Sequence, residues 1–298
     1  RQLISICWPE PSYGENEFVF DTFRKFLPRK FRDEGPVIPV VRLQGPIGMA
    51  TPLRPGLSLA TTAQPLEKAF SYKKAPAVAL IVNSPGGSPV QSRLIFQRIR
   101  DLAAENKKDV LVFVEDVAAS GGYMISLAGD EIIADPTSIV GSIGVVAAGF
   151  GFPELLKKMG VERRVYTAGD KKVILDPFRE ENADDIDYLK SLQQDIHEVF
   201  IDMVKARRGD VLSDDKDLFS GKFWTGRLAL ELGLVDGMGD LALLSAPRTS
   251  EGPIWIRAPP RPPSPSGLRS SSSCFRESSL DAADGRGGST EKRVWTAG

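Results

Sequence analysis

Asp116-Val117-Ala118-Ala119-Ser120-Gly121-Gly122-Tyr123 joins two unlike neighbours. Before it stands Val110-Leu111-Val112-Phe113-Val114, an apolar, mostly β-branched run that reads as a buried strand. After it, Tyr123-Met124-Ile125-Ser126-Leu127-Ala128 reads as a buried helix. The octapeptide thus places Ser120 where a strand turns into a helix. Small residues on both sides let another backbone approach its hydroxyl. The first amides of a helix are unpaired donors and favour developing negative charge, which suits a serine nucleophile. The same residues also fit a plain helix N-cap followed by glycines for a tight turn. The octapeptide alone does not choose between the two.

Upstream, Ala77-Val78-Ala79-Leu80-Ile81-Val82 is a continuous apolar run, the pattern of a strand buried on both faces. The loop Asn83-Ser84-Pro85-Gly86-Gly87-Ser88 follows it. Pro89 then stands at the first turn of a helix with Ser88 as its N-cap. Leu94, Ile95, Ile99 and Leu102 recur along that helix at helical spacing. Val37 to Leu43 reads as an earlier strand, with Pro39 near an edge, and Thr62 to Tyr72 as a helix. Strand and helix therefore alternate, which implies parallel strands with right-handed crossovers.

Downstream, Glu131 to Ala134 reads as a short strand, and Pro136 to Val145 as a loop entering another. Phe152 to Met159 reads as a short helix closed by Gly160. Glu162 to Tyr166 reads as a strand. Asp184 to Arg207 is a long amphipathic helix, with Leu189, Leu192, Ile196, Val199, Phe200 and Met203 on one face. Lys222 to Gly233 reads as a last helix, followed by Leu234-Val235-Asp236.

The expected organisation is an irregular basic and aromatic arm over 1–35, the domain proper over 36–244, and a disordered tail over 245–298. The arm contains Phe23-Arg24-Lys25-Phe26-Leu27-Pro28-Arg29-Lys30-Phe31-Arg32, which reads either as a solvated arm or as a peripheral contact with an anionic membrane surface. The tail is rich in Pro, Ser and Arg and cannot bury a core. The 38 basic and 39 acidic residues of the 298-residue chain nearly cancel, which argues against nucleic acid as the main partner. Cys7 and Cys274 stand near opposite ends, so neither a disulfide framework nor a zinc-type spacing is present. No stretch approaches the roughly 20 apolar residues of a membrane helix. A chain beginning at Arg1 is expected to be a fragment or a processed product.

Serine catalysis needs a base and donors for the oxyanion as well as a serine. The only histidine, His197, falls on the long helix and reads as a surface or boundary residue, which disfavours a Ser-His-Asp triad. A desolvated lysine also serves as a base. Gly169-Asp170-Lys171-Lys172-Val173-Ile174-Leu175-Asp176-Pro177 offers Lys172 beside apolar residues that would desolvate it. Oxyanion donors fit the Ser84-Pro85-Gly86-Gly87 loop.

Taken together, these segments resemble the signal peptide peptidase A family, serine–lysine peptidases with the Clp-protease/crotonase type of fold. The resemblance runs from about Val37 to Asp240. It rests on Val82-Asn83-Ser84-Pro85-Gly86-Gly87, Ala119-Ser120-Gly121-Gly122-Tyr123, Val140-Gly141-Ser142-Ile143-Gly144-Val145, the lysine segment above, and the closing run from Gly221 to Asp236. It implies an α/β fold with a mostly parallel sheet. By position it implies Ser120 as nucleophile, Lys172 as general base, and Gly86 or Gly87 as oxyanion amide. Ser142 would position the lysine amine, or serve only as a turn residue. No metal or cofactor is implied.

The family also implies a homo-oligomer whose active sites draw Ser120 and Lys172 from neighbouring subunits, acting on signal peptides and other extended apolar peptides. The expected location is the bacterial cytoplasm or the periphery of the inner membrane. The family's usual membrane anchor is not visible, and the tail is unlike its usual continuation. Two rival readings stand: a crotonase-type hydratase or isomerase of acyl-thioesters, and a non-catalytic membrane-associated scaffold.

Overall fold

A computed structural model describes residues 37–48, 56–169 and 171–242, together with the backbone of 3–5 and 256–257. The chain divides into two compact units, Arg1–Pro260 and Arg261–Gly298. All described residues belong to the first. The Phe23–Arg32 run and the Pro/Ser/Arg-rich tail beyond Arg257 lie outside them.

In chain order the elements are β1 (Leu3–Ser5), β2 (Val37–Gln44), α1 (Leu59–Phe70), β3 (Ala77–Ser84), α2 (Pro89–Asn106) and β4 (Asp109–Ala119). Then come α3 (Gly121–Ser126), β5 (Glu131–Ala134), β6 (Ile139–Gly141), α4 (Pro153–Met159) and α5 (Ala183–Arg208). A short 3-10 turn at Gly209–Val211 precedes β7 (Phe223–Thr225), α6 (Gly226–Glu231), β8 (Gly237–Met238) and β9 (Ile256–Arg257). The sheet order is β1-β2-β3-β4-β5-β8-β9, with β6 on β4 and β7 on β6. Strands β2, β3, β4, β5, β8 and β6 run parallel, while β1, β7 and β9 pair antiparallel. This is the mostly parallel α/β architecture expected.

The apolar runs explain the layering. Val78, Leu80 and Val82 of β3, with Val110, Val112 and Val114 of β4, face the main core, which includes Leu66, Phe70, Ile95, Ile99, Tyr123 and Phe200. The intervening Ala77, Ala79, Leu111 and Phe113 enter a second cluster with Ile38 and Ile133. Both faces of the central strands are thus buried, as an unbroken apolar run requires. Each large aliphatic or aromatic side chain so buried contributes about 1.5–3 kcal/mol. Helix α2 starts as its sequence indicates, with the Ser88 hydroxyl accepting from the Gln91 amide at 3.4 Å and Pro89 in the first turn.

Strand β4 is longer than its apolar run. Leu111–Val114 pair with β5, and the same strand continues past Glu115 and Asp116 to pair Val117–Ala119 with β6. The two acids do not end it, because their side chains have partners. Both Glu115 carboxylate oxygens accept from Arg42 Nη1, at 2.5 and 2.7 Å, and Asp116 accepts from Asn83 at 2.6 Å.

Two expectations need revision. Glu162–Tyr166 forms no strand: the segment is exposed, and among the described residues it has no ladder partner. Lys222–Gly233 is not one helix. Phe223–Thr225 pair with β6, and the helix starts only at Gly226, capped by the Thr225 hydroxyl. Leu3–Ser5, within the arm read as irregular, pairs with β2, and Ile256–Arg257, within the tail read as disordered, pairs with β8. The apolar face of α5 is covered only at its C-terminal part: Phe200 and Val204 are buried, while Leu192, Ile196 and Val199 are exposed.

Asp236, in the closing Leu-Val-Asp run, is fixed by the fold. Arg208 donates to both its carboxylate oxygens at 2.9 and 2.8 Å, and the Ile132 amide donates to one of them at 2.8 Å.

Candidate active site

The C-terminal ends of parallel strands are where an open α/β sheet builds its sites. Here β3, β4 and β6 end at Ser84, Ala119 and Gly141, in register: Ser84 lies beside Ala118, and Ala119 beside Gly141. Ser120 is the next residue. Its amide extends the ladder by donating to the Gly141 carbonyl at 2.8 Å. Its backbone is then thrown to φ 53°, ψ −121°. A non-glycine residue in this region carries roughly 1–3 kcal/mol of strain and persists only where its surroundings hold it. Helix α3 starts at once, with the Met124 amide bonding the Ser120 carbonyl at 2.9 Å.

The N-cap reading of Ser120 does not hold. The residue occupies the cap position, but its side chain makes no cap hydrogen bond. The hydroxyl is half-buried and bonds nothing among the described residues.

The glycines are required by close approach. A methyl at Gly121 would stand 2.3 Å from the Ser92 hydroxyl, and one at Gly122 would stand 2.4 Å from the Ser84 carbonyl oxygen. The Ser84 hydroxyl donates to the Gly45 carbonyl at 2.7 Å and accepts from the Gly86 amide at 3.2 Å, which pins the following loop. Gly86, at φ +101°, is buried against the serine: a methyl there would lie 2.8 Å from Ser120 Cβ and 2.9 Å from the Gly121 nitrogen. Gly87 is exposed. Ile47 bonds on either side of it, donating to the Gly86 carbonyl and accepting from the Ser88 amide, both at 2.9 Å. The Gly86 amide is therefore in use. The amides of Gly87 and Gly121 have no acceptor among the described residues.

Ser142 follows Gly141 as Ser120 follows Ala119. It too lies at positive φ, 54°, and its amide donates to the Lys222 carbonyl at 2.7 Å. Gly141 before it lies over the Trp224 ring, whose carbons a methyl would meet at 2.7 and 2.8 Å. After it, Ile143 is buried, and its carbonyl oxygen lies 3.0 Å from His197 Nε2. A carbonyl only accepts, so Nε2 carries the proton and is not a free base. His197 is half-buried, at the boundary its position implied, and makes no bond to Ser120.

Lys172 lies in a turn between α4 and α5, with an exposed side chain flanked by half-buried Val173, Ile174 and Leu175. Its amine makes no hydrogen bond or ion pair among the described residues, and neither Ser120 nor Ser142 reaches it. Lys171, by contrast, bonds Asp185 at 2.7 Å. The end of this turn is braced. Arg163 pairs with Asp176, holding that carboxyl below the usual carboxylate range, and lies 4.9 Å over the Phe178 ring, which meets Phe152 at 5.6 Å. One chain thus brings together Ser120, Gly86, Gly87, Gly121 and Ser142, but not Lys172. Among the described residues no group of three or more His, Cys, Asp or Glu is placed to hold a metal ion.

Sequence reasoning pointed to the first helical amides without singling out Gly121, and it missed the restraining roles of Ser84, Gly141 and His197. Gly121 was within reach, because it immediately follows the serine at a helix start. The others depend on contacts between distant segments.

Residues 103–246 match Peptidase family S49. A Na(+)/H(+) antiporter NhaA of Brucella melitensis is 69% identical over 219 residues, covering 73% of this chain and 30% of that protein. The chloroplastic serine protease SPPA of Arabidopsis thaliana is 31% identical over 210 residues, covering 68% of this chain and 29% of that protein. The chain therefore spans about a third of the length of these relatives.

Proposed function

We propose, from the premise that this chain belongs to the SppA-type peptidases of family S49, that it is a serine endopeptidase whose nucleophile is Ser120. The observation that carries this is the conformation of Ser120: a strained, uncapped serine next to the Gly86-Gly87 loop, with the Gly87 and Gly121 amides free of acceptors among the described residues. Lys172 is the base. It takes the Ser120 proton as Oγ attacks a peptide carbonyl, and the tetrahedral oxyanion rests on the Gly87 and Gly121 amides. The lysine ammonium then protonates the leaving amine, and water releases the acyl group. Gly86 lets the donor loop lie against the serine, and Ser142 orients the lysine amine.

A base needs a desolvated amine, and Lys172 is exposed in a single chain. Between β6 and α5 the chain leaves large apolar side chains in the open: Phe150 is 81% and Tyr166 90% accessible. In this reading a second copy covers that surface, so that Ser120 of one subunit meets Lys172 of another. The substrates proposed are signal peptides and other extended apolar peptides, met in a bacterial cytoplasm or at the inner-membrane surface. Ion antiport, named for the Brucella relative, is not carried over, because the chain matches 30% of that protein. Among the described residues no helix is long and apolar enough to cross a membrane.

The test is labelling with a fluorophosphonate, followed by mapping of the modified residue. Modification of Ser120, abolished in Ser120→Ala, supports the reading. A chain that cleaves peptides with Ser120 unlabelled refutes it, and a chain that resists the reagent and cleaves nothing returns the acyl-thioester and scaffold readings.

A further inference from the structure

We infer that His197 is a positioning residue for the Ser142 side of this site, an inference that rests on the roles proposed above for Ser120 and Ser142. Ser142 is a non-glycine residue at φ 54°, and such a residue stays there only if its neighbours are held. On its N-terminal side, Gly141 is fixed twice: its carbonyl accepts from the Ser120 amide, and its Cα lies over the Trp224 ring. The Ser142 amide itself is fixed by the Lys222 carbonyl. On its C-terminal side, the Ile143 side chain is buried, and the Ile143 carbonyl is held by His197 Nε2–H at 3.0 Å. That bond is the one side-chain hydrogen bond to the 141–144 backbone among the described residues.

The element that carries His197 gives the contact its reach. Helix α5 begins beside the lysine turn, where Asp185 bonds Lys171. His197 lies about 18 Å further along the axis. Phe200 and Val204, immediately beyond, are seated in the core. One rigid helix therefore ties the lysine turn, the Ser142 turn and the core together. Removing the His197 donor frees the Ile143 carbonyl and lets Ser142 relax from its left-handed conformation. The Gly141 carbonyl, which holds the Ser120 amide, then shifts with it.

The experiment compares His197→Leu, His197→Gln and His197→Asn in peptide cleavage, with melting temperatures measured alongside. A glutamine amide reaches the place of Nε2, whereas an asparagine amide falls short. Expected is a kcat loss of about 10- to 100-fold for His197→Leu with KM within about twofold, since a small misplacement of reacting groups is costly. His197→Gln should recover to within about threefold of the parent, and His197→Asn should stay low. Should His197→Leu fail to fold, the Gln and Asn pair decides. Parent-like kcat in His197→Leu overturns the inference, as does an equal loss in all three variants that follows their melting temperatures. Ser120→Ala is assayed in parallel. Activity there overturns the site reading and this inference with it, whereas inactive Ser120→Ala beside parent-like His197→Leu overturns this inference alone.

Discussion

The Ser120 amide donates to the Gly141 carbonyl at 2.8 Å, so the two residues at positive φ that follow β4 and β6, Ser120 at 53° and Ser142 at 54°, are locked side by side. This relationship makes the site a property of the sheet. Neither turn can relax without breaking the ladder between Ala119 and Gly141.

Gly86 tests the close approach on which the donor loop depends. At φ +101°, with Ser120 Cβ 2.8 Å from the position of a methyl, Gly86→Ala has neither the conformation nor the space it needs. We expect a stability loss above ~1 kcal/mol and a kcat lower by roughly 100-fold. Chemical denaturation and steady-state kinetics read the two effects separately.

The two adjacent lysines should behave differently. Lys172→Ala is expected to lose roughly 10²–10⁴-fold in kcat, the usual contribution of a general base. Lys171 is spent on Asp185 in an exposed pair worth less than about 1 kcal/mol, so Lys171→Ala should keep most of its activity. Equal losses would undo the assignment of the base.

Tyr123 is fully buried, and its hydroxyl donates to the Leu234 carbonyl at 2.8 Å. Tyr123→Phe should cost about 1–2 kcal/mol by leaving that carbonyl without its donor. Burial also pushes the phenol's pKa up. The unfolded chain therefore releases this proton before the folded one does. Stability is fully present below the ordinary tyrosine value of about 10 and falls as pH rises above it. Tyr123→Phe should flatten that alkaline fall, as read by melting temperature against pH.

Arg208 is almost entirely enclosed and spends its donors on the Gly233 carbonyl and on Asp236. Asp236→Ala leaves a buried guanidinium unpaired and should cost on the order of 3 kcal/mol. The change should appear in the unfolding midpoint rather than in kcat at temperatures where the variant stays folded.

Much of this was legible in the chain. The runs at Ala77–Val82 and Val110–Val114 fixed a buried parallel sheet, because only a strand covered on both faces is apolar throughout. Ser88-Pro89 and Gly160 marked helix ends through local chemistry. What stayed hidden depended on pairing between distant residues. The charges of Glu115 and Asp116 concealed the second half of β4, since their partners, Arg42 and Asn83, belong to other strands. Phe223–Thr225 reads locally as the start of a helix but is taken by β6. At the site, the serine and the glycine pair were visible in the motif. The division of labour between Gly86, whose amide is used, and Gly87, whose amide finds no acceptor among the described residues, required the Ser84 hydroxyl to be placed. The exposure of Lys172 could not be read from its apolar neighbours, because they are themselves only half-buried in one chain.

The central claim is that Ser120 and Lys172 of different copies make one active site. Its most direct measurement mixes two inactive variants, Ser120→Ala and Lys172→Ala, co-refolds them, and follows cleavage of an apolar fluorogenic peptide. Each variant alone should be silent, and the mixture should recover activity, because some sites regain an intact serine and an intact lysine. A silent mixture, with exchange of subunits demonstrated, would contradict a site shared between copies.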